Sequence, residues 1–398
     1  MSVKLKSCHT GKNRNKSGIS DDTMTKYKNT FKGILHDISS SNTTAYIEPE
    51  SWVETANQIE SYKAMEKKEI AQILKSLSLL VASEADINAQ VAVIRFFRAL
   101  DYFGKIKSYG DVPWYEKDLT DGDTEELFKP RDSRDFVLGK VIEDLEFAIQ
   151  WLPEKNAAVK GALHKDAART QLSRVCLYYG TFKKYHNVGG TPSSQDLLQK
   201  AANNALAVMN TGNYAIVQGA DNGCGMVSFE GYPMYYQNQF VQEDLDGNKE
   251  AILYREYKDG VLMHQTGRQD AAPGFSKDFM ESFLCKDGKP IGVSELYQGD
   301  ETLDIELTDR DPRMYQIVDN VKRPWAVQAD GTIELHRSAF DLNASAPDVS
   351  ASKSVTGYLN TKHLSADPTQ WVASSTTYDF MVYRYAEVLL NYAEAMYE

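Results

Sequence analysis

The chain has 398 residues, 42% of them hydrophobic, and its 56 acidic against 44 basic side chains give a net charge of −12. That size and apolar content suit a globular protein of two or three domain-sized units and exclude a disordered or fibrous chain. The acidic balance, with no basic stripe interleaved with aromatics, argues against nucleic acid as a partner, and no run of 18 apolar residues could span a membrane as a helix.

The first ten residues contain lysines but no apolar stretch after them, so they do not form a secretory signal as they stand. Leu5 and Ser7 nevertheless precede Cys8 at the spacing of a bacterial lipoprotein cleavage site, which makes Cys8 the candidate for lipidation. On that reading the native gene starts further upstream, and polar residues 9–22 form a tether. A short helix is predicted around Thr23 to Leu35, so residues 1–50 read as tether plus first helix. The other cysteines, Cys176, Cys224 and Cys285, form no C-x-x-C pair, and no H-E-x-x-H is present. No metal or other cofactor is therefore expected, and Cys176, in register with Leu172, Val175 and Tyr179, reads as a small buried hydrophobe.

From Ser51 the pattern becomes helical. Ser51 and Glu54 have capping-box spacing, and helices continue to Ser83. The next helix is predicted after Ser83 to about Tyr109, with one apolar stripe of Val93, Phe96, Phe97, Leu100 and Phe103 and a second of Ile87, Val91 and Ile94, as for a helix buried on two sides. Further helices are predicted over Arg134–Leu152, His164–Tyr185 and Pro192–Met209, the last broken by Thr211-Gly212-Asn213. Helices arriving in pairs over residues 51–214 predict a mainly α protein built on a TPR-like helical-hairpin scaffold.

Residues 215–375 are rich in Gly, Asp, Asn, Pro and Ser. Ala251 to Tyr257 reads as a strand, Asp246-Gly247 and Asp330-Gly331 as hairpin turns, and only Ser276 to Leu284 as helix. This is a large loop-rich insertion containing short β-hairpins, and so long an irregular segment on a rigid scaffold is expected to carry function. Residues 376–398 return to the scaffold as a helix from near Tyr378, with Tyr385, Leu389, Tyr392 and Met396 as its buried stripe, expected on the Leu172, Val175, Tyr179 face.

Several stretches together resemble the SusD/RagB family of outer-membrane nutrient-binding lipoproteins: IRFFRALDYFGKIKSYGDVPW (Ile94 to Trp114), RDSRDFVLGKVIEDLEFAIQWLP (Arg131 to Pro153), AARTQLSRVCLYYG (Ala167 to Gly180), FMESFLCKDGKPI (Phe279 to Ile291), DRDPRMYQIV (Asp309 to Val318), TGYLNTKHL (Thr356 to Leu364) and RYAEVLLNYAEA (Arg384 to Ala395). Each is weak alone, and their shared order is specific. The family's usual glutamate two residues before Arg95 is Val93 here, which removes one expected buried ion pair. The pattern also implies helical and loop segments beyond Ala395, so the last hairpin is expected to close outside this sequence.

The resemblance implies a non-catalytic, outward-facing, lipid-anchored protein at the outer membrane that delivers an oligosaccharide to a SusC-like TonB-dependent transporter. A peptide ligand, as implied by the RagB branch, is the alternative. Sugar rings stack on aromatic faces while their hydroxyls bond to polar side chains. On that ground the candidate ligand-binding residues are Trp325 with Arg323, and Tyr232, Tyr235, Tyr236 and Asn238 in the loop GYPMYYQNQF, with Gln237 alongside. Trp52, Trp114 and Trp371 read as structural. Two readings from other classes are weaker: a TPR-like adaptor leaves the insertion without a purpose, and a glycoside hydrolase needs a carboxylate pair that neither Asp309 with Asp311 nor Asp121 with Asp123 identifies.

Overall fold

The computed structural model describes residues 18–19, 33–38, 45–49, 60–72, 75, 83–217, 228–229, 232–264, 274–320, 322–335, 356–371 and 375–398. The chain divides into two compact units, Met1–Ile87 and Asn88–Glu398. Cys8, Trp52 and Cys224 lie outside the described residues.

In the first unit, strands β1 (Gly18–Ile19), β2 (Gly33–Ile38) and β3 (Ala45–Pro49) form an antiparallel sheet in the order β1-β3-β2. Residues 33–35, expected to end a helix, instead start β2, and residues 18–19 of the expected tether pair with β3. The register sets Leu35 opposite Ile47 and Ile19 opposite Ala45, a pairing between separate stretches of chain that local propensity does not reveal. Residues 60–72 are helical, as predicted.

The helices of the scaffold are α1 (Glu84–Tyr109), α2 (Arg134–Trp151), α3 (Lys165–Tyr185) and α4 (Ser194–Asn210), each within two residues of its predicted bounds. Their ends are fixed locally. Ser83 and Asp86 bond reciprocally at the start of α1, Ser193 and Asp196 form a capping box on α4, and Gly212 takes a left-handed φ of 68° just past the α4 terminus. Glycine also sets the α3–α4 approach, since a Cβ on Gly180 would lie 2.8 Å from the Leu198 side chain. Ser194 donates to the Gly180 carbonyl at 2.7 Å and Ser173 to that of Ala201 at 2.9 Å, tying the two helices together.

The two-sided burial expected of α1 is not found: Ala92, Phe96, Ala99, Phe103 and Ile106 are buried, but Ile94 and Phe97 are 68% and 55% exposed. What binds α1 to α2 is partly ionic. Asp144, buried on α2, accepts from Arg95 Nε at 2.6 Å and from Arg98 Nε and Nη2 at 2.7 Å each. The two guanidiniums also lie over aromatic faces, Arg95 over Phe147 and Arg98 over Trp114. Cys176 is buried as expected, its thiol pushed up to about 12 by desolvation.

The stretch from Tyr378 is only partly helical. Residues Phe380–Arg384 form a strand, β9, antiparallel to β6 (Ala251–Arg255), and a helix, α9 (Tyr385–Tyr397), follows. Tyr383 and Ile252 from this ribbon join the core of the scaffold helices, so the insertion is stitched to the scaffold at its exit. α9 packs on α4 and α3, with Arg174 of α3 gripping Glu387 through two bonds, one of 2.6 Å.

Its buried line is Val388, Asn391 and Ala395, with Tyr385 and Tyr392 beside it, whereas Leu389 is half-buried and Met396 is 60% exposed. The predicted stripe is thus rotated: strand β9 fixes the angle at which α9 enters, and that angle brings Val388 rather than Leu389 onto the core. Val388→Ala is expected to cost about 2 kcal/mol and Leu389→Ala about 1 kcal/mol. Denaturant unfolding of both variants checks this, and the reverse order would contradict the packing.

The insertion has its own core of Met234, Met280, Leu303, Leu307, Met314, Tyr315, Ile317, Val318 and Tyr358. It contains more helical turns than expected: α5 (Tyr235–Asn238), α6 (Lys277–Glu281), α7 (Leu303–Glu306) and α8 (Arg313–Ile317), too short to show a period in sequence. (These four precede α9 in the chain.) The hairpin at Asp330-Gly331 is present, joining β7 (Ala326–Val327) to β8 (Ile333–Glu334), with Gly331 at a φ of 84°. A short β4–β5 pair (Ser228–Phe229 and Tyr232–Pro233) precedes α5.

Candidate functional site

The segment from Leu359 to Trp371 receives both groups of predicted residues. On one side, the β7–β8 hairpin docks through the Val327 amide, which donates to the Ala366 carbonyl at 2.7 Å. The Trp325 amide donates to the Glu334 carbonyl at 2.8 Å, which holds the ring at the hairpin's base. Trp325 is half-buried and meets Trp371 edge-on, with centroids 5.9 Å apart at 61°. Trp371 is itself anchored, its indole N–H donating to the Ser365 carbonyl at 2.8 Å. The sequence reading set Trp371 aside as structural; no local signal joins two tryptophans 46 residues apart, and only the fold pairs them.

Arg323 requires a correction. Expected beside the ligand as a surface donor, it is 2% exposed, and its Nη1 donates to the Thr361 carbonyl at 3.2 Å. Burial pushes its guanidinium down to about 10, against the opposing pull of Asp319. Arg323 therefore supports the segment that carries Trp371 and presents no side chain to solvent.

On the other side, α5 displays Tyr235 and Tyr236, both half-buried, while Gln237 and Asn238 point into the protein at 3% and 7% exposure. Gln237 Nε2 donates to the Leu364 carbonyl at 2.8 Å, and the Gln316 side-chain oxygen accepts from the Tyr236 amide at 2.9 Å. Asn238, expected to contact ligand, is thus a buried group of the α5 turn. Tyr232 lies in β5, and its side chain is outside the described residues.

Cations and rings alternate here. Arg313 and Arg384 stand 5.9 and 5.8 Å from the Tyr236 ring, and Lys362 stands 4.2 Å from that of Phe240. Burial, reinforced by Arg384, pushes Lys362 down to about 8. His363 stacks on Phe380 at 5.0 Å and meets Phe240 edge-on at 5.4 Å.

Burial, followed by the charge of Lys362, pushes His363 down to about 4 from an ordinary 6.5. The folded protein keeps this ring neutral where the unfolded chain protonates it, so its contribution to stability is present above pH 6.5 and is lost as pH falls towards about 4. His363→Gln is expected to flatten that acid limb of the stability curve, measured by urea unfolding between those two pH values; an unchanged slope would show that His363 does not drive it.

The site thus offers flat aromatic faces, charged donors beside them, and backbone held by a continuous hydrogen-bonded segment. Among the described residues no group of His, Cys, Asp and Glu is arranged to hold a metal ion, and no helix is long and apolar enough to cross a membrane.

Comparison with known proteins agrees with this architecture. Residues 240–398 match the SusD family, and residues 3–177 match a family described as starch-binding and associating with the outer membrane. A SusD-like protein of Bacteroides fragilis NCTC 9343 superposes with a TM-score of 0.59 at 22% identity, covering 79% of this chain and 58% of that one. A SusD-like carbohydrate binding protein of the same strain gives 0.58 at 23%, covering 79% and 56%. A third structure, with a xylogluco-oligosaccharide, gives 0.52 at 17%, covering 80% and 56%. The chain therefore spans little more than half the length of these proteins.

A different likeness covers a small part of the sequence. Over 84 residues the chain is 43% identical to endonuclease MutS2 of Shouchella clausii (strain KSM-K16), which is 20% of this chain and 11% of that protein. So small a share carries none of that enzyme's activity across. The two family matches, over residues 240–398 and 3–177, support a SusD/RagB family protein, and the shared helical fold agrees with them.

Proposed function

We propose that the protein captures an oligosaccharide without chemically altering it and passes it to a TonB-dependent transporter at the outer membrane, with Cys8 as the lipid-anchor residue. The observation that carries the glycan reading is the Trp325–Trp371 pair, two large rings that meet edge to face where the β7–β8 hairpin docks on residues 359–371. Aromatic faces of this kind stack on the C–H faces of sugar rings and exclude water around them. The family description of residues 3–177 and the xylogluco-oligosaccharide in a structure of the same fold point the same way. Tyr235 and Tyr236, half-buried on α5, are the second candidate platform in this reading.

A glycan array followed by a reducing-end assay on the bound sugars tests this. Binding without new reducing ends is the expected result. New reducing ends would replace capture by hydrolysis. An array without binders, together with binding to an extended-peptide library, would replace the sugar by a peptide.

A further inference from the structure

Three cationic side chains crowd the rings of Tyr236 and Phe240, and they differ in what balances them. Arg313, 5.9 Å from the Tyr236 ring, has its Nε 3.0 Å from both carboxylate oxygens of Asp311. Arg384, 5.8 Å from the same ring, donates from Nη1 to Glu250 at 2.8 Å, and Glu250 is buried. Lys362 is the third. Its ammonium lies 4.2 Å from the centroid of Phe240, which meets Tyr236 edge-on at 5.4 Å, and it makes no ion pair or hydrogen bond through Nζ among the described residues.

An ammonium so placed loses hydration without receiving an acceptor, a cost that a cation–π contact offsets only in part. Lys362 is half-buried, yet its Nζ is not one of the buried polar atoms left without a partner, so it keeps contact with solvent. An apolar stem laid on a ring with its charged head in water is also what a long surface lysine does for packing alone.

Two features separate Lys362 from that case. Its backbone is held on both sides: the amide donates to Asn360 Oδ1 at 3.0 Å, the carbonyl accepts from Gln237 Nε2 of α5 at 3.4 Å, and the next carbonyl, of His363, accepts from the Tyr378 hydroxyl. A donor on so fixed a base gives up less freedom when it binds. In addition, burial first and the charge of Arg384 next push the ammonium down to about 8, against the pull of Glu250, so an acceptor on a ligand supplies what the protein withholds. With Asp311 and Glu250 set against the three cations, charge here does not select an acidic ligand; the hydroxyl oxygen of a neutral sugar is a sufficient acceptor.

We propose that Lys362 is the charged donor of the glycan site, its Nζ bonding to a sugar hydroxyl beside α5 in the role that the buried Arg323 does not fill. That the acceptor belongs to a sugar rests on the capture function proposed above; that Lys362 is the available donor rests on its own surroundings.

Amine labelling of the full chain with acetic anhydride, followed by peptide mass spectrometry, reads Lys362 directly, with maltoheptaose, a xyloglucan oligosaccharide and any glycan selected on the array as probes. A bound sugar is expected to slow acetylation of Lys362 at least fivefold while leaving the exposed Lys107 and Lys249 unchanged. In calorimetry Lys362→Met, which keeps an apolar stem on Phe240, should weaken the same sugar at least fivefold with no fall in thermal midpoint, and Lys362→Arg should recover most of the loss. Unchanged labelling of Lys362 with the sugar bound, or full affinity in Lys362→Met, would make it a packing lysine and overturn the assignment; loss of binding in Trp325→Ala alongside either result would leave the capture function standing without Lys362. Failure of every probe to bind would remove the capture function and this contact together.

Discussion

Asp144→Ala is expected to lower the stability of the scaffold by about 3 kcal/mol, the low end of what removing one partner of a buried ion pair costs. Asp144 is 1% exposed and is the shared acceptor for Arg95 and Arg98, whose side chains remain 26% and 29% exposed. After the substitution two guanidiniums face each other across an empty acceptor position, but each can turn partly to water, which is why the low end applies. The Arg98 guanidinium is held more firmly protonated by its bond to Asp144, as expected of a charge-assisted contact. A double-mutant cycle between Asp144→Ala and Arg98→Ala, read by urea unfolding, should give a coupling above about 1 kcal/mol. Additive effects would show that the bonds join α1 to α2 without adding to stability. The absence of the family's glutamate at Val93 fits this arrangement, because one aspartate on the neighbouring helix already serves both arginines.

Trp325→Ala is expected to weaken glycan binding at least tenfold, about 1.4 kcal/mol, with contacts around it contributing less. The geometry adds a second requirement that the sequence alone did not contain: Trp371→Ala should weaken the same glycan, because the rings meet edge to face at 5.9 Å and each fixes the other's orientation. Trp325 is half-buried, so some loss of thermal midpoint accompanies its removal; the discriminating measurement is affinity of the folded fraction. Full affinity in both variants would reduce the pair to packing and move attention to Tyr235 and Tyr236. Arg323→Ala provides a contrast. Its guanidinium is buried against the Thr361 carbonyl, so its removal should lower stability and alter binding only through the displaced segment.

The sequence by itself determined the scaffold helices, because their determinants are local: apolar residues at helical spacing, Ser83 and Ser193 as caps, Gly212 as a left-handed stop. It also supplied the Asp330-Gly331 hairpin and the identity of the β6 strand. What it left undecided depends on neighbours distant in the chain. Residues 380–384 look as helical as the stretch after them, yet become strand because β6, more than 120 residues earlier, offers its edge (Arg255 opposite Phe380). Arg323 and Trp325 are two positions apart and looked equivalent; the segment near Thr361 covers the first and leaves the second half-open. Asn238 looked like a surface amide and is buried by the α5 turn, too short to carry a readable period. Helix formation is decided within a few turns of chain, whereas burial and ring pairing are set by which backbone arrives from elsewhere, and those are the properties that make a binding surface.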